Sequence, residues 1–241
     1  MDRGFYIAAS GMLTELVRQD QLANDLANAS TPGYKADQST QANFGELLLT
    51  NTANDQQIGS LGLGVDIAKT TPDLAQGAID QTGEPLDFAL QGPGFFAVQT
   101  AAGTRYTRDG QFAVDAKGEL VTSLGNPVLG SDGKPVSIAG HEQDLTVSSD
   151  GTIAAGGKTL GRIAIVSLTN PAKQGDTLFS GTPGASPNGT TIEQGALESS
   201  GTNPATVMVD MITSLRAYES MQKVINSMDE TLSRGIQAGG A

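Results

Sequence analysis

The chain has no cysteine, no tryptophan, one histidine and only 5% aromatic residues. Lack of cysteine excludes disulfides, thiolate metal sites and cysteine nucleophiles. A lone His141 excludes zinc sites built from several histidines, and any Ser-His-acid triad would rest on it alone. Basic residues are scarce as well, with 14 Lys and Arg against 26 Asp and Glu, a formal charge of −12 over 241 residues. Phosphate binding needs concentrated Lys and Arg, and no basic cluster exists, so nucleic acid is not expected as a main partner. No apolar run approaches the roughly 20 residues that cross a bilayer, so the chain is not expected to be an integral membrane protein. The opening stretch Met1–Met12 shows no cationic segment followed by a long apolar one, and no cleavable secretory signal is expected.

What the chain does have is glycine, 31 residues of it, and a modest 38% of hydrophobic residues. Core material is thin and spread over many turns. That suits a small β-rich body better than a large buried enzyme core.

The two ends differ from the middle. From Phe5 to Leu26, apolar or small residues recur at Phe5, Ala9, Met12, Leu16, Ala23 and Leu26. These steps of three and four predict a helix with a coiled-coil-like seam, its opposite face carrying Glu15, Arg18, Asp20, Asn24 and Asp25. Ser30-Thr31-Pro32-Gly33 stops it, because proline lacks the N–H and clashes with the preceding turn. Near the other end Met208, Met211, Leu215, Tyr218, Met221, Ile225, Met228 and Leu232 form a second stripe. Asn203 offers its N-cap and Pro204 its first turn, and the helix is expected to fade at Gly235 and Gly239-Gly240. Neither stripe is stable alone in water, so the helices are expected to pack on each other, on neighbouring copies, or both.

Between them the grammar is that of strands. Leu86–Leu90, Phe96–Val98 and Phe112–Val114 alternate, and Ile163–Val166 reads as a buried strand. Asp109-Gly110, Lys117-Gly118, Gly125-Asn126-Pro127, Asp132-Gly133 and Asp150-Gly151 mark turns. The expected fold class is α+β: terminal N- and C-helices packed as a coiled-coil-like pair, with a central antiparallel all-β domain. Its segments are an N-terminal helix over 1–34, a polar connector over 35–75, the β domain over 76–180, a second connector over 181–202 and the C-terminal helix over 203–241.

Catalytic chemistry finds little to hold. There is no G-x-S-x-G elbow, and His141 sits in a surface-turn sequence. Gly59, Gly62 and Gly64 resemble a phosphate loop, but no helix pattern and no Lys-Ser/Thr follow, so a connector is expected. Asp109, Asp115, Asp132 and Asp150 neighbour turn residues, where Asp caps its own backbone. Few aromatics argue against a sugar platform. The methionines of the second stripe fit core packing and an adaptable subunit contact equally well. Asn188-Gly189-Thr190 is a chance sequon in a loop. No cofactor or metal is expected, and no enzyme.

Four ordered motifs carry a resemblance. Leu22-Ala23-Asn24-Asp25-Leu26-Ala27-Asn28-Ala29-Ser30-Thr31-Pro32-Gly33-Tyr34-Lys35 resembles the signature that ends the N-terminal helix of flagellar basal-body rod and hook proteins. Gly92-Pro93-Gly94-Phe95-Phe96-Ala97-Val98 resembles that family's G-x-G-F-F strand, and Tyr106–Asp115, continuing through Gly118–Thr122, its central hairpin. Met208–Met211 with Arg216-Ala217-Tyr218-Glu219 and Gln222–Ile225 resembles its terminal helix. Hook proteins carry further outer domains for which this length leaves no room, which favours the rod; proximal against distal rod stays open. Before the last helix the family often has a Ser-Asn-Val run where this chain has Ser200-Gly201-Thr202-Asn203-Pro204.

The resemblance implies a structural subunit whose terminal helices line an inner tube and whose central segment forms an outer β domain. It implies export through the flagellar type III apparatus without a cleaved signal peptide, residence in the basal-body rod of the cell envelope, and partnership with copies of itself and with other rod and hook proteins. On it, Asn24, Leu26, Ala27, Asn28, Thr31, Pro32, Gly33 and Tyr34 are the family-motif residues. The stripes make Met12, Leu16, Leu26, Met211, Leu215, Tyr218, Ile225 and Leu232 the expected packing residues. The rival reading is a secreted β-rich binding module whose helices merely dimerise it.

Overall fold

A computed structural model describes all residues except 1, 44, 51–56, 63, 141–143, 176, 188, 240 and 241. His141 and Asn188, read above as a surface turn and part of a loop sequon, lie outside the described residues. The chain forms two units, one of residues 1–27, 37–71 and 204–241, the other of residues 28–36 and 72–203. Neither is a continuous segment; the chain passes between them four times.

The first unit contains α1 (Asp2–Ala27) and α2 (Pro204–Gly239). Proline at the first position of α2 costs nothing, since that N–H has no intrahelical partner anyway. α2 runs on through Gly235, where the sequence suggested fading. Gly235 is exposed with open space around it, and one glycine in a helix costs only about 1 kcal/mol relative to alanine. Residues 37–71 are not the plain connector expected. Asp37–Asn43 pairs with Val65–Pro72, and Glu46–Thr50 pairs antiparallel with Gln57–Gly62, which places Gly59 and Gly62 in a strand. Runs such as Asp37-Gln38-Ser39-Thr40-Gln41 pair through their backbones, and they lack the apolar alternation by which a strand is recognised.

The second unit is built on a five-stranded antiparallel sheet, in the order Ile165–Val166, Phe95–Thr100, Gly103–Thr107, Leu178–Pro183, Leu168–Lys173. Beside it Phe112–Val114 pairs with Leu120–Thr122, and Leu145–Val147, Thr152–Ala155 and Lys158–Arg162 form a three-stranded sheet. The other expected connector, 181–202, also supplies strands. Thr191–Gln194 pairs with Phe88–Gln91, and Ala196–Glu198 pairs with Ile79–Gln81. Ile192 stands opposite Leu90 and is buried with it.

The interior of this unit is aromatic and aliphatic. Phe112 lies 5.8 Å from Phe88 and 5.2 Å edge-on from Phe96, centroid to centroid, among Leu120, Val128, Ile138 and Ile153. A second cluster gathers Phe95, Tyr106 and Phe179. The turn aspartates cap as expected: Asp109, Asp115, Asp132 and Asp150 each accept the backbone N–H two residues on. Asp109-Gly110 differs in being a buried corner. A Cβ on Gly110 would lie 1.7 Å from the Phe88 carbonyl oxygen, so the two backbones meet where only glycine fits.

Candidate functional site

In the first unit the two helices pack antiparallel through holes and knobs. A Cβ on Gly4 would lie 2.7 Å from Met228 Cε, and one on Gly11 2.5 Å from Met221 Sδ. Both contacts repeat after one heptad on each helix, from 4 to 11 and from 228 to 221, the spacing of a knobs-into-holes seam. The next position is polar. Ser214 Oγ donates to Glu15 Oε2 at 2.6 Å, with Ser214 1% and Glu15 8% exposed.

This seam runs beside the stripe read from large residues. Met12, Leu26, Met211, Tyr218, Ile225 and Leu232 are half-buried. Leu16 and Leu215 are 42% and 47% exposed and do not belong to the intrachain seam. Glu15 and Asp25, expected on the solvent side, are buried. One residue is about 100° of helix rotation, so replacing Leu16 by Glu15 turns the inward face of α1 by that much. Large side chains do not mark the intrachain seam because α1 contributes Gly4 and Gly11 to it, holes rather than knobs. Leu13, Leu16, Val17, Met208, Val209, Ile212 and Leu215 are left as exposed aliphatic residues on the helix pair. Beside α1, Thr14 Oγ1 donates to the Val65 carbonyl at 3.2 Å and the Val65 N–H to Ser10 Oγ at 3.3 Å, tying the strand to the helix.

The second unit holds a buried charge node, reached through the Thr31-Pro32-Gly33-Tyr34-Lys35 motif. Gly33 has φ +66°, and a Cβ there would sit 2.3 Å from both the Arg108 carbonyl carbon and the Asp109 nitrogen. Its N–H donates to the Glu198 carbonyl at 2.7 Å. Tyr34 and Lys35 are wholly buried. Lys35 Nζ donates to Glu198 Oε1 at 2.5 Å and to the Ala75 carbonyl at 2.6 Å. Arg108 Nη1 reaches Glu198 Oε2 at 3.0 Å, and Nη2 the Gly92 carbonyl at 2.9 Å. The Gly77 N–H completes the shell of Glu198 Oε1 at 2.8 Å. Lys173 closes the top: its ammonium stands 3.9 Å over the Tyr34 ring and donates to the Lys35 carbonyl at 2.9 Å.

One carboxylate thus pairs with two buried cations, the Ala75 and Gly92 carbonyls take one further donor from each, and Arg108 Nε is buried without a partner. Burial lowers the Arg108 pKa, and Glu198 opposes that by charge and hydrogen bond. Neighbouring Asp109 is pushed up to about 6, chiefly by burial and further by Asp87, against the Gln111 N–H that favours its charged form. Every donor and acceptor named here points at the protein itself, so the arrangement fastens chain segments to one another. Among the described residues no group of three or more His, Cys, Asp or Glu could hold a metal ion, and no helix is long and apolar enough to cross a membrane.

Of the motif residues, Gly33 and Tyr34 are buried at this node; Leu26, Asn28, Thr31 and Pro32 are half-buried, and Asn24 and Ala27 exposed. Glu198 had no signal beyond a lone charge closing the short apolar run Ala196-Leu197.

Three family models match the chain. Residues 5–35 match the flagella basal body rod protein, residues 89–155 the flagellar hook protein FlgE/F/G D1 domain, and residues 193–238 the flagellar basal body rod FlgEFG protein C-terminal region. The flagellar basal-body rod protein FlgF of Caulobacter vibrioides is 34% identical, covering 100% of this chain and 99% of that protein. The chain belongs to the flagellar basal-body rod protein family. FlgF of Escherichia coli is 34% identical over 98% of both chains, and FlgG of Bacillus subtilis 32% identical over 96% of this chain and 97% of its own. The charge node takes one member from each matched segment of this rod-family chain: Lys35 from the first, Arg108 from the second and Glu198 from the third.

Proposed function

We propose that the chain is a non-enzymatic structural subunit of the bacterial flagellar basal-body rod, assembling with copies of itself and with other rod and hook proteins into the axial tube that passes torque from motor to hook. The observation that carries this reading is full-length kinship with rod proteins in a chain whose helix pair keeps a row of aliphatic residues exposed. Leu16 and Leu215, turned away from the intrachain seam, are assigned to contacts with neighbouring subunits; Met12, Leu26, Met211, Tyr218, Ile225 and Leu232 hold the pair in shape. Contacts between unlike surfaces that do not close on themselves build helical filaments. The reading includes export through the flagellar type III apparatus and residence in the rod.

Mass spectrometry of purified hook–basal bodies from the source organism tests it. Recovery of this chain at several copies per rod supports it. Absence from intact basal bodies overturns it and moves the binding-module reading to first place. Ile225→Asp is expected to remove the chain from rods while leaving the β unit folded, because the charge lands on the helix pair alone; normal rods in that variant would count against the helix assignment.

A further inference from the structure

The helix seam is built from two kinds of contact with different tolerance for sliding. Met221 and Met228 enter holes at Gly11 and Gly4, one heptad apart on both helices. Methionine is unbranched and adapts to irregular gaps, and a glycine hole does not discriminate between two methionines. If α2 slid by one heptad in one direction, Met221 would face Gly4. In the other direction Met228 would face Gly11. Each slipped register keeps one of the two methionine–glycine contacts and sets the other glycine opposite Ser214 or Gly235, both small. The apolar contacts therefore favour the native alignment by one such contact and leave the other two sterically open.

The polar contact does not slide. Glu15 is buried, and its carboxylate accepts from Ser214 Oγ at 2.6 Å. A slip of one heptad places Val207 or Met221 opposite Glu15, since those residues stand seven before and seven after Ser214. Neither side chain carries a donor for a carboxylate, and burying a carboxylate deprived of its partner is strongly unfavourable. A polar residue at one seam position is a known way for coiled helices to fix register, at some expense in stability.

We infer that Glu15 and Ser214 form a register lock: they select one of several sterically acceptable alignments of α1 and α2, while the glycine–methionine contacts supply the adhesion. The lock acts inside one chain and is independent of the rod assignment.

The test uses the full-length chain, which has no native cysteine. Spin labels on Leu13→Cys and Val224→Cys, both at exposed positions, report the distance between the helices by electron paramagnetic resonance. The parent and E15Q, which keeps an acceptor for Ser214, are expected to show one narrow distance. The double variant Glu15→Leu with Ser214→Ala is expected to keep its helix content and to show a second distance population, from helices displaced by one heptad, about 10 Å along the axis. A single unchanged distance in the double variant overturns the proposal. Loss of its helical circular dichroism also overturns it, because the pair would then be holding the helices together rather than choosing their alignment. No flagellum enters the measurement, so its failure and failure of the rod reading are separable.

Discussion

In the helix unit, contact is made by what is small or pliable: Gly4 against Met228 and Gly11 against Met221, with the buried polar pair Glu15 and Ser214 beside them. In the β unit it is made by what is bulky and fixed: Phe112 against both Phe88 and Phe96, and a three-membered ion cluster beside Tyr34. Pliable contacts tolerate rearrangement, and Leu13, Val17, Val209 and Ile212 stay exposed outside them. Fixed contacts tolerate very little. One chain combines an interior that specifies its own shape with a helix pair that keeps exposed aliphatic residues.

The sharpest way to break this comparison is Glu198→Ala, which leaves Lys35 and Arg108 buried without their carboxylate. A loss of about 3–5 kcal/mol is expected from the urea midpoint. Replacing all three members by apolar residues of similar volume should recover most of it, because no unpaired charge then stays inside.

Asp109 gives the next effect, and it depends on pH. Its carboxyl titrates near 6 in the folded chain and near 3.9 in an unfolded one, so the folded state holds its proton more tightly. Stability therefore falls as pH rises from about 4 to about 6 and stays reduced above that. Asp109→Asn should remove this decline, gaining up to about 3 kcal/mol at pH 7 and nothing below pH 4, because each tenfold difference in proton affinity between the two states is worth about 1.4 kcal/mol. Parallel urea titrations of both proteins across that range measure it.

The same substitution in the two units should then differ. Gly33→Ala meets backbone at 2.3 Å with φ +66° and should cost about 2–3 kcal/mol. Gly11→Ala meets only the end of Met221; the gain in helix propensity offsets the crowding, and a change within about 1 kcal/mol is expected by thermal unfolding. Smallest of all, Leu215→Ser at a 47% exposed site should move the free chain by no more than about 0.5 kcal/mol, while its incorporation into rods, read from basal-body preparations, falls sharply.

The helices, the aromatic strands and the turn aspartates were legible in the sequence because each rests on a local rule: steps of three and four, alternation, a carboxylate two residues before an N–H. The strands at Asp37–Asn43 and Thr191–Gln194 were not. One is polar throughout and the other offers a single buried apolar residue, Ile192, so pairing is set by partners distant in the chain. The intrachain seam of α1 was not legible for a different reason. Hydrophobic pattern finds knobs, and α1 supplies holes and a carboxylate. The motif through Tyr34 was visible, but its partners at Arg108 and Glu198 come together only through the sheet.

One hydrogen bond at the node has a consequence in time rather than in space. α1 is the first helix of the chain and α2 the last, so joining them from an unfolded coil means closing a loop of nearly the whole polypeptide, the kind of long-range contact that slows folding. The Gly201 N–H donates to the Tyr34 carbonyl at 2.8 Å, within a few residues of where α1 ends and α2 begins. Once the β unit has formed, that bond and its neighbours have already brought the two helix roots together. What remains is a short tether, and the entropy of pairing the chain's two ends has been spent in advance by its middle.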